Sequence, residues 1–163
     1  MAKKKVNLSA YKSSEIPSAK GMKIGIVVSE WNPEITESLF EACYKTLLDH
    51  GCRKKNILRI TVPGSFELPA GAQLLTETKK PDAVICLGCV IQGETRHFDF
   101  ICDAVANGLM QLSLKYGKPF IFGVLTPNNM EQARARAGGK HGNKGVEAAV
   151  TAIKMVALKK STR

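Results

Sequence analysis

The sequence predicts an α/β protein in which a central parallel sheet of four strands is covered by helices on both faces. Four short apolar runs, over residues 23–29, 56–62, 82–91 and 119–125, have the length and β-branched content of buried strands. Each is followed by a segment with helical spacing or helix-start signals, the alternation expected when parallel strands are joined by crossovers. No internal repeat is evident, and 163 residues suffice for one domain with a substantial core.

In chain order, residues 1–20 are polar and lysine-rich and read as a flexible basic arm with little fixed structure of its own. Residues 21–163 form the single domain. The first strand is built on Ile24, Ile26, Val27 and Val28. Asn32 is a good N-cap and Pro33 suits the first helical position, so a helix is expected from there to about residue 50. Ile35, Leu39, Cys43 and Leu47 recur along it at four-residue spacing, and Gly51 supplies the stop. After the second strand, Pro63 to Glu67 make a turn into a helix carrying Ala70, Ala72, Leu74 and Leu75. The third strand leads past Gly93 to Thr95, read as the N-cap of a helix ending near Tyr116. The fourth strand carries Phe120, Ile121, Phe122 and Val124. Residues 126–137 read as a further helix, Gly138 to Gly142 as an interruption, and about 143–160 as the last helix.

Composition narrows the function. The mean hydropathy of −0.08 describes a soluble globular chain. The longest apolar run is far short of the ~20 residues of a membrane span, and the lysines before residue 20 frame no apolar core of a secretory signal. Five cysteines, an odd number spread over strands and helices, fit a reducing cytoplasm better than a disulfide framework. The net charge of +10 sits mainly at the ends, with +4 in residues 1–20 and +4 in residues 154–163. No nucleic-acid motif or interleaved aromatics accompany it, so neither a specific nucleic acid nor a membrane is an expected partner. Neither G-x-G-x-x-G nor G-x-x-x-x-G-K-S/T occurs, which disfavours dinucleotides and NTPase chemistry. Cys86 and Cys89 have C-x-x-C spacing, but three steps along a strand put their sulfurs on opposite faces, so both read as core. Three histidines without carboxylates at ligand spacing make no metal site.

In open parallel sheets ligands bind outside the carboxyl ends of the strands. Four unusual segments fall there: Trp31-Asn32, Gly64 to Glu67, Gly93 to His97, and Phe122 to Thr126. The strand–loop–helix junction between Gly88 and Asp99 aims backbone N–H groups and the positive end of a helix at one point, which suits a phosphate. His97, in the first turn of that helix, is a titratable base beside this anion seat. Trp31, in the turn after the first strand, could stack on a planar ligand. Arg134 and Arg136 lie roughly 200° apart around a helix, so only one of them can face a given pocket. The glycine- and lysine-rich residues 138–144 read either as a phosphate loop or, more commonly for such a stretch, as a flexible helix break.

Together these segments resemble the 6,7-dimethyl-8-ribityllumazine synthase family over about residues 21–158. The most specific parts are Trp31-Asn32, Pro63-Gly64-Ser65-Phe66-Glu67-Leu68-Pro69, Gly93-Glu94-Thr95-Arg96-His97-Phe98-Asp99-Phe100, and Glu131-Gln132-Ala133 through Arg136-Ala137-Gly138 to Gly142-Asn143-Lys144-Gly145. The resemblance implies a flavodoxin-like three-layer α/β/α fold and a transferase that needs no cofactor or metal. Its reaction is the penultimate step of riboflavin biosynthesis. There 5-amino-6-ribitylamino-uracil condenses with 3,4-dihydroxy-2-butanone 4-phosphate, releasing phosphate and water. By the same resemblance Trp31, where the family has an aromatic that is often Phe, stacks on the pyrimidine. Ser65 and Glu67 meet the ribityl chain, and the backbone at Val90 and Ile91 meets the uracil edge. Glu94 and Thr95 hold the phosphate through backbone N–H groups. Arg136 reaches it from a neighbouring subunit, with Phe122 and Lys144 on that side, and His97 carries protons. The resemblance further implies a homo-oligomer with active sites at subunit interfaces. A pentamer assembled into an icosahedral shell is expected because the joint at residues 137–145 has the short form without an insertion. Riboflavin synthase is a candidate partner. The alternative is a flavin- or lumazine-binding protein without turnover, or a shell-forming container; a mere binder would not need Arg136 or His97.

Overall fold

The computed structural model of the protein describes residues 7–163. Strands β1 (Ile24–Ser29), β2 (Ile57–Val62), β3 (Ala83–Cys89) and β4 (Phe120–Leu125) form an all-parallel sheet in the order β2-β1-β3-β4. They are joined by α1 (Pro33–Asp49), α2 (Leu68–Lys79) and α3 (His97–Tyr116). After β4 come α4 (Met130–Arg136), an antiparallel pair of short strands, β5 (Ala137–Gly139) and β6 (Gly142–Asn143), and α5 (Lys144–Ser161).

Alternation along the strands sorts the core into two sides. Ile24, Ile26 and Val28 of β1, with Ala83, Ile85, Leu87 and Cys89 of β3, pack against α1 and α5. Val27, Val84 and Cys86 face the other way, against Leu68 and Leu75 of α2 and Val105 and Leu109 of α3. The result is the flavodoxin-like three-layer arrangement. The stripe Ile35, Leu39, Cys43, Leu47 of α1 is wholly buried; each large aliphatic side chain so removed from water contributes about 1.5–3 kcal/mol. Helices α1 and α5 approach so closely that a Cβ at Gly145 would collide with the Leu39 carbonyl. Cys86 and Cys89 fall on opposite sides of the sheet, and burial pushes both thiols up, that of Cys89 to about 11. They are core residues, not a metal or redox pair.

Several boundaries differ from the sequence reading, each for a local reason. Asn32 does stand before Pro33, but in the left-handed region (φ 58°, ψ 56°), and its side chain makes no cap. Its Nδ2 instead donates to Cys89 O at 3.0 Å. Helix α3 begins at His97 without a Thr95 cap; Thr95 Oγ1 accepts from the His97 N–H at 3.3 Å, a side-chain turn just ahead of the helix. Strand β3 stops at Cys89, although the Val90 N–H still donates to Leu125 O. The helix expected from residue 126 starts at Met130, because Asn129 is the cap, its Oδ1 accepting from the Gln132 N–H at 2.9 Å. Residues 138–144 are a hairpin and not a flexible break. Gly138 and Gly142 turn it at positive φ, and Asn143 then caps α5 by accepting from the Gly145 N–H at 2.8 Å.

Of the arm expected to lack fixed structure, residues 1–6 lie outside the described residues. Residues 7–20 follow the body instead of leaving it. Ser9 and Ala19 are buried, the Leu8 N–H donates to His141 O, and the Ala19 N–H donates to His50 O at 2.7 Å. Among the described residues no helix is long and apolar enough to cross a membrane.

Candidate active site

The strand order places the topological switch point between β1 and β3, since α1 leaves β1 toward one face and α3 leaves β3 toward the other. Crevices at such points are where these sheets bind ligands. A cleft of about 750 Å³ opens there, large enough for a small-molecule ligand. Trp31 and Asn32 follow β1 into it, Gly64 to Glu67 follow β2, and Cys89, Val90 and Ile91 end β3. The far wall is one face of α3, where His97, Phe100 and Ile101 align at helical spacing.

The walls are aromatic and unusually bare. Trp31, Phe66 and Phe100 are 71%, 56% and 64% exposed. A cluster of large apolar side chains left in water marks a surface that something covers. The polar groups are few and placed. Ser65 lines the cleft, and its Oγ is buried with no hydrogen-bond partner among the described residues. Glu67 Oε2 accepts from the Gly64 N–H at 2.9 Å, which fixes the carboxylate across the turn while leaving it further acceptor capacity. His97 is the first residue of α3 and is exposed to the cleft. Glu94 and Thr95 lie on the exposed loop just before it, outside the lining of this cleft.

Phe122, Arg136 and Lys144 are elsewhere. They line a second cleft of about 370 Å³ with Thr126, Pro127 and Gln132, beyond the carboxyl end of edge strand β4. The two clefts share no lining residue. Thus six of the residues singled out in the sequence, Trp31, Ser65, Glu67, Val90, Ile91 and His97, converge, and Phe122, Arg136 and Lys144 converge separately.

The second cleft is cationic. Arg136 Nη1 donates to His141 O at 2.6 Å and Nη2 donates to Glu147 Oε1 at 2.5 Å, while Lys144 Nζ donates to Glu147 Oε2 at 3.1 Å. Burial raises the Glu147 carboxyl, but the hydrogen bonds from Arg136, Lys144 and Ser9 outweigh it and hold the group below its ordinary value. Two cations around one carboxylate leave a net positive charge, and the guanidinium retains donors beyond the two in use. Arg134 forms a two-pronged ion pair with Glu34, at 2.7 and 3.1 Å, and stays exposed, so the two arginines diverge as their spacing requires.

Sequence reasoning missed Glu147, whose signal was its position three residues after Lys144 in the first turn of α5. It also missed Phe100 and Ile101 as cleft residues, although they lie three and four residues after His97 on the same helix. The bridge from Asn32 to Cys89 left no local signal.

Comparison with known proteins agrees with this architecture. The family model described as 6,7-dimethyl-8-ribityllumazine synthase matches residues 21–160. A protein of that name from Cytophaga hutchinsonii is 64% identical over 151 residues, covering 93% of this chain and 94% of the relative. One from Parabacteroides distasonis is 57% identical, covering 92% and 94%, and one from Christiangramia forsetii is 52% identical, covering 100% and 98%. The match runs from just before β1 nearly to the end of α5, and so takes in both clefts. This chain belongs to the 6,7-dimethyl-8-ribityllumazine synthase family.

Proposed function

We propose that this protein makes 6,7-dimethyl-8-ribityllumazine from 5-amino-6-ribitylamino-uracil and 3,4-dihydroxy-2-butanone 4-phosphate, in sites that two adjacent subunits complete together. The observation that carries this reading is the separation of the two clefts. One holds an aromatic wall, an unsatisfied serine, a carboxylate and a histidine. The other holds the arginine and lysine that an anionic substrate needs, and the two share no residue. A head-to-tail contact that sets the second cleft of one subunit against the first cleft of the next unites them, and such contacts close into rings. A ring of five is the form we propose, assembled into an icosahedral shell, since the hairpin between α4 and α5 carries no insertion. The enzyme is proposed to work in the cytoplasm, which its five free thiols favour, with riboflavin synthase as a partner.

In this site Trp31 stacks on the pyrimidine, Ser65 and Glu67 take the ribityl hydroxyls, and the backbone at Val90 and Ile91 meets the uracil edge. The N–H groups at Glu94 and Thr95, with Arg136 of the neighbouring subunit, take the phosphate. Phe122 and Lys144 close the site from the same side. The substrate amine attacks the ketone and loses water to give an imine, phosphate is eliminated, and ring closure expels a second water. The nucleophile belongs to the substrate, so the protein's tasks are to hold two reactants together and to move protons. Well-oriented proximity is worth up to ~7–11 kcal/mol of barrier. His97, at the edge of the first cleft, serves the proton transfers in both directions.

Mixing both substrates with purified protein should produce the lumazine chromophore faster than the uncatalysed condensation. Light scattering should give a particle much larger than a decamer. No acceleration would overturn the enzymatic reading, and an active monomer would overturn the shared site.

A further inference from the structure

Arg136 is held by two oxygens, and both are also held by the N-terminal segment. His141 O, which accepts from Arg136 Nη1 at 2.6 Å, accepts from the Leu8 N–H at 3.2 Å. Glu147 Oε1, which accepts from Arg136 Nη2, lies 2.9 Å from Ser9 Oγ. We infer that Ser9 is a positioning residue for Arg136, so that the segment ahead of β1 tunes the cationic cleft beside it.

The seating of Ser9 is specific. The side chain is buried, 8% exposed, and its Oγ accepts from the Asn143 N–H at 2.8 Å. Its single proton has two acceptors at 2.9 Å, Asn143 O and the Glu147 carboxylate, of which the charged one makes the stronger bond. Asn7 Oδ1 accepts from the Ser9 N–H at 2.9 Å and folds the segment into a tight turn against the hairpin. The hairpin is shaped to receive it: Gly142 has a φ of +87°, and a Cβ there would collide with Asn7 Oδ1 and Ser9 Oγ. The geometry matters because an arginine binds phosphate with paired N–H groups in a fixed plane. Glu147 with its proton donor from Ser9 fixes one edge of that plane, and His141 O with Leu8 fixes another. Without the Ser9 hydroxyl, Glu147 keeps its charge but loses a bond that restrains its rotation. The guanidinium then turns with it.

This inference rests on the reading of Arg136 as the phosphate-binding residue, so Arg136→Ala is measured beside the Ser9 variants. Ser9→Ala should raise KM for 3,4-dihydroxy-2-butanone 4-phosphate about fivefold, the scale of one buried hydrogen bond. KM for the pyrimidine and the particle size should stay as in the unmodified protein. Inorganic phosphate should inhibit more weakly by the same factor. Ser9→Thr, which keeps the hydroxyl, should restore much of the affinity. Unchanged KM for the phosphate substrate in Ser9→Ala, with Arg136→Ala strongly raised, would overturn the role of Ser9 and leave the site reading intact. Equal weakening toward both substrates, or a smaller particle, would make Ser9 a purely structural residue and overturn the inference. An Arg136→Ala variant with ordinary KM for the phosphate substrate would overturn the site reading and this inference with it.

Discussion

Replacing Arg136 by alanine tests the division of labour between the clefts most directly. In the structure two of the five guanidinium N–H donors are engaged, one by His141 O and one by Glu147. The remainder can make a paired contact to a phosphate. A hydrogen bond to a charged group contributes about 1.5–3 kcal/mol, so loss of the paired contact should raise KM for 3,4-dihydroxy-2-butanone 4-phosphate by roughly 10- to 150-fold. The substitution also leaves Glu147 beside the incoming phosphate with only Lys144 and Ser9 to offset its charge, which pushes the effect toward the upper end. KM for the pyrimidine should change little, because Arg136 does not line the first cleft, which is proposed to hold that substrate. Lysine at the same position should recover only part of the loss, since an ammonium cannot reproduce the fork. Steady-state kinetics with each substrate varied in turn, followed by lumazine absorbance, reads out both constants. Equal weakening toward the two substrates, with a smaller particle by light scattering, would refute the argument and assign Arg136 to the subunit interface.

Three further outcomes follow from the same geometry. His97→Ala should lower kcat by about 10²-fold with little change in either KM, and a variant within about twofold of the unmodified protein would remove His97 from proton transfer. Trp31 is the only tryptophan and stands in the first cleft, so its fluorescence should fall as riboflavin is titrated in. Unchanged emission, with binding seen by equilibrium dialysis, would take Trp31 out of the pocket. The Glu147 carboxyl is held below its ordinary value, so its contribution to stability is present above the unfolded carboxylate range and is lost as pH falls through the lower folded value. Thermal melts from about pH 6 down to pH 3 should therefore show a steeper loss for the unmodified protein than for Glu147→Gln. Parallel curves would remove Glu147 from the acid response.

What could be read in the sequence was what depends on short-range periodicity. The buried stripe of α1 and the opposed facing of Cys86 and Cys89 both follow from spacing alone, as does the divergence of Arg134 and Arg136. The arrangement of segments at the strand ends was legible as well, because topology confines ligand sites to that side. What was not legible depends on partners distant in the chain. Asn32 looked like a helix cap because local preference says so, yet an acceptor 57 residues away claims its side chain. Ser9 looked like part of a solvated arm, and only a hairpin 134 residues later gives it a pocket. Asn128 and Asn129 are equally good caps by type, and backbone geometry decided between them.

The Asn32 amide has a consequence for how the pocket is dimensioned. A non-glycine residue in the left-handed region is uncommon, though asparagine is among the types that tolerate it best. Here it turns the chain so that Trp31 and the end of β3 are tied by one hydrogen bond, Asn32 Nδ2 to Cys89 O. The spacing between the turn at Trp31 and the end of β3 is therefore a set calliper opening. It does not have to be found by the ligand on arrival. A planar ring entering there, as proposed, spends less of its binding energy on ordering this part of the protein. Aspartate would keep the shape but lose the donor and set a carboxylate against a carbonyl oxygen, and the calliper would spring open.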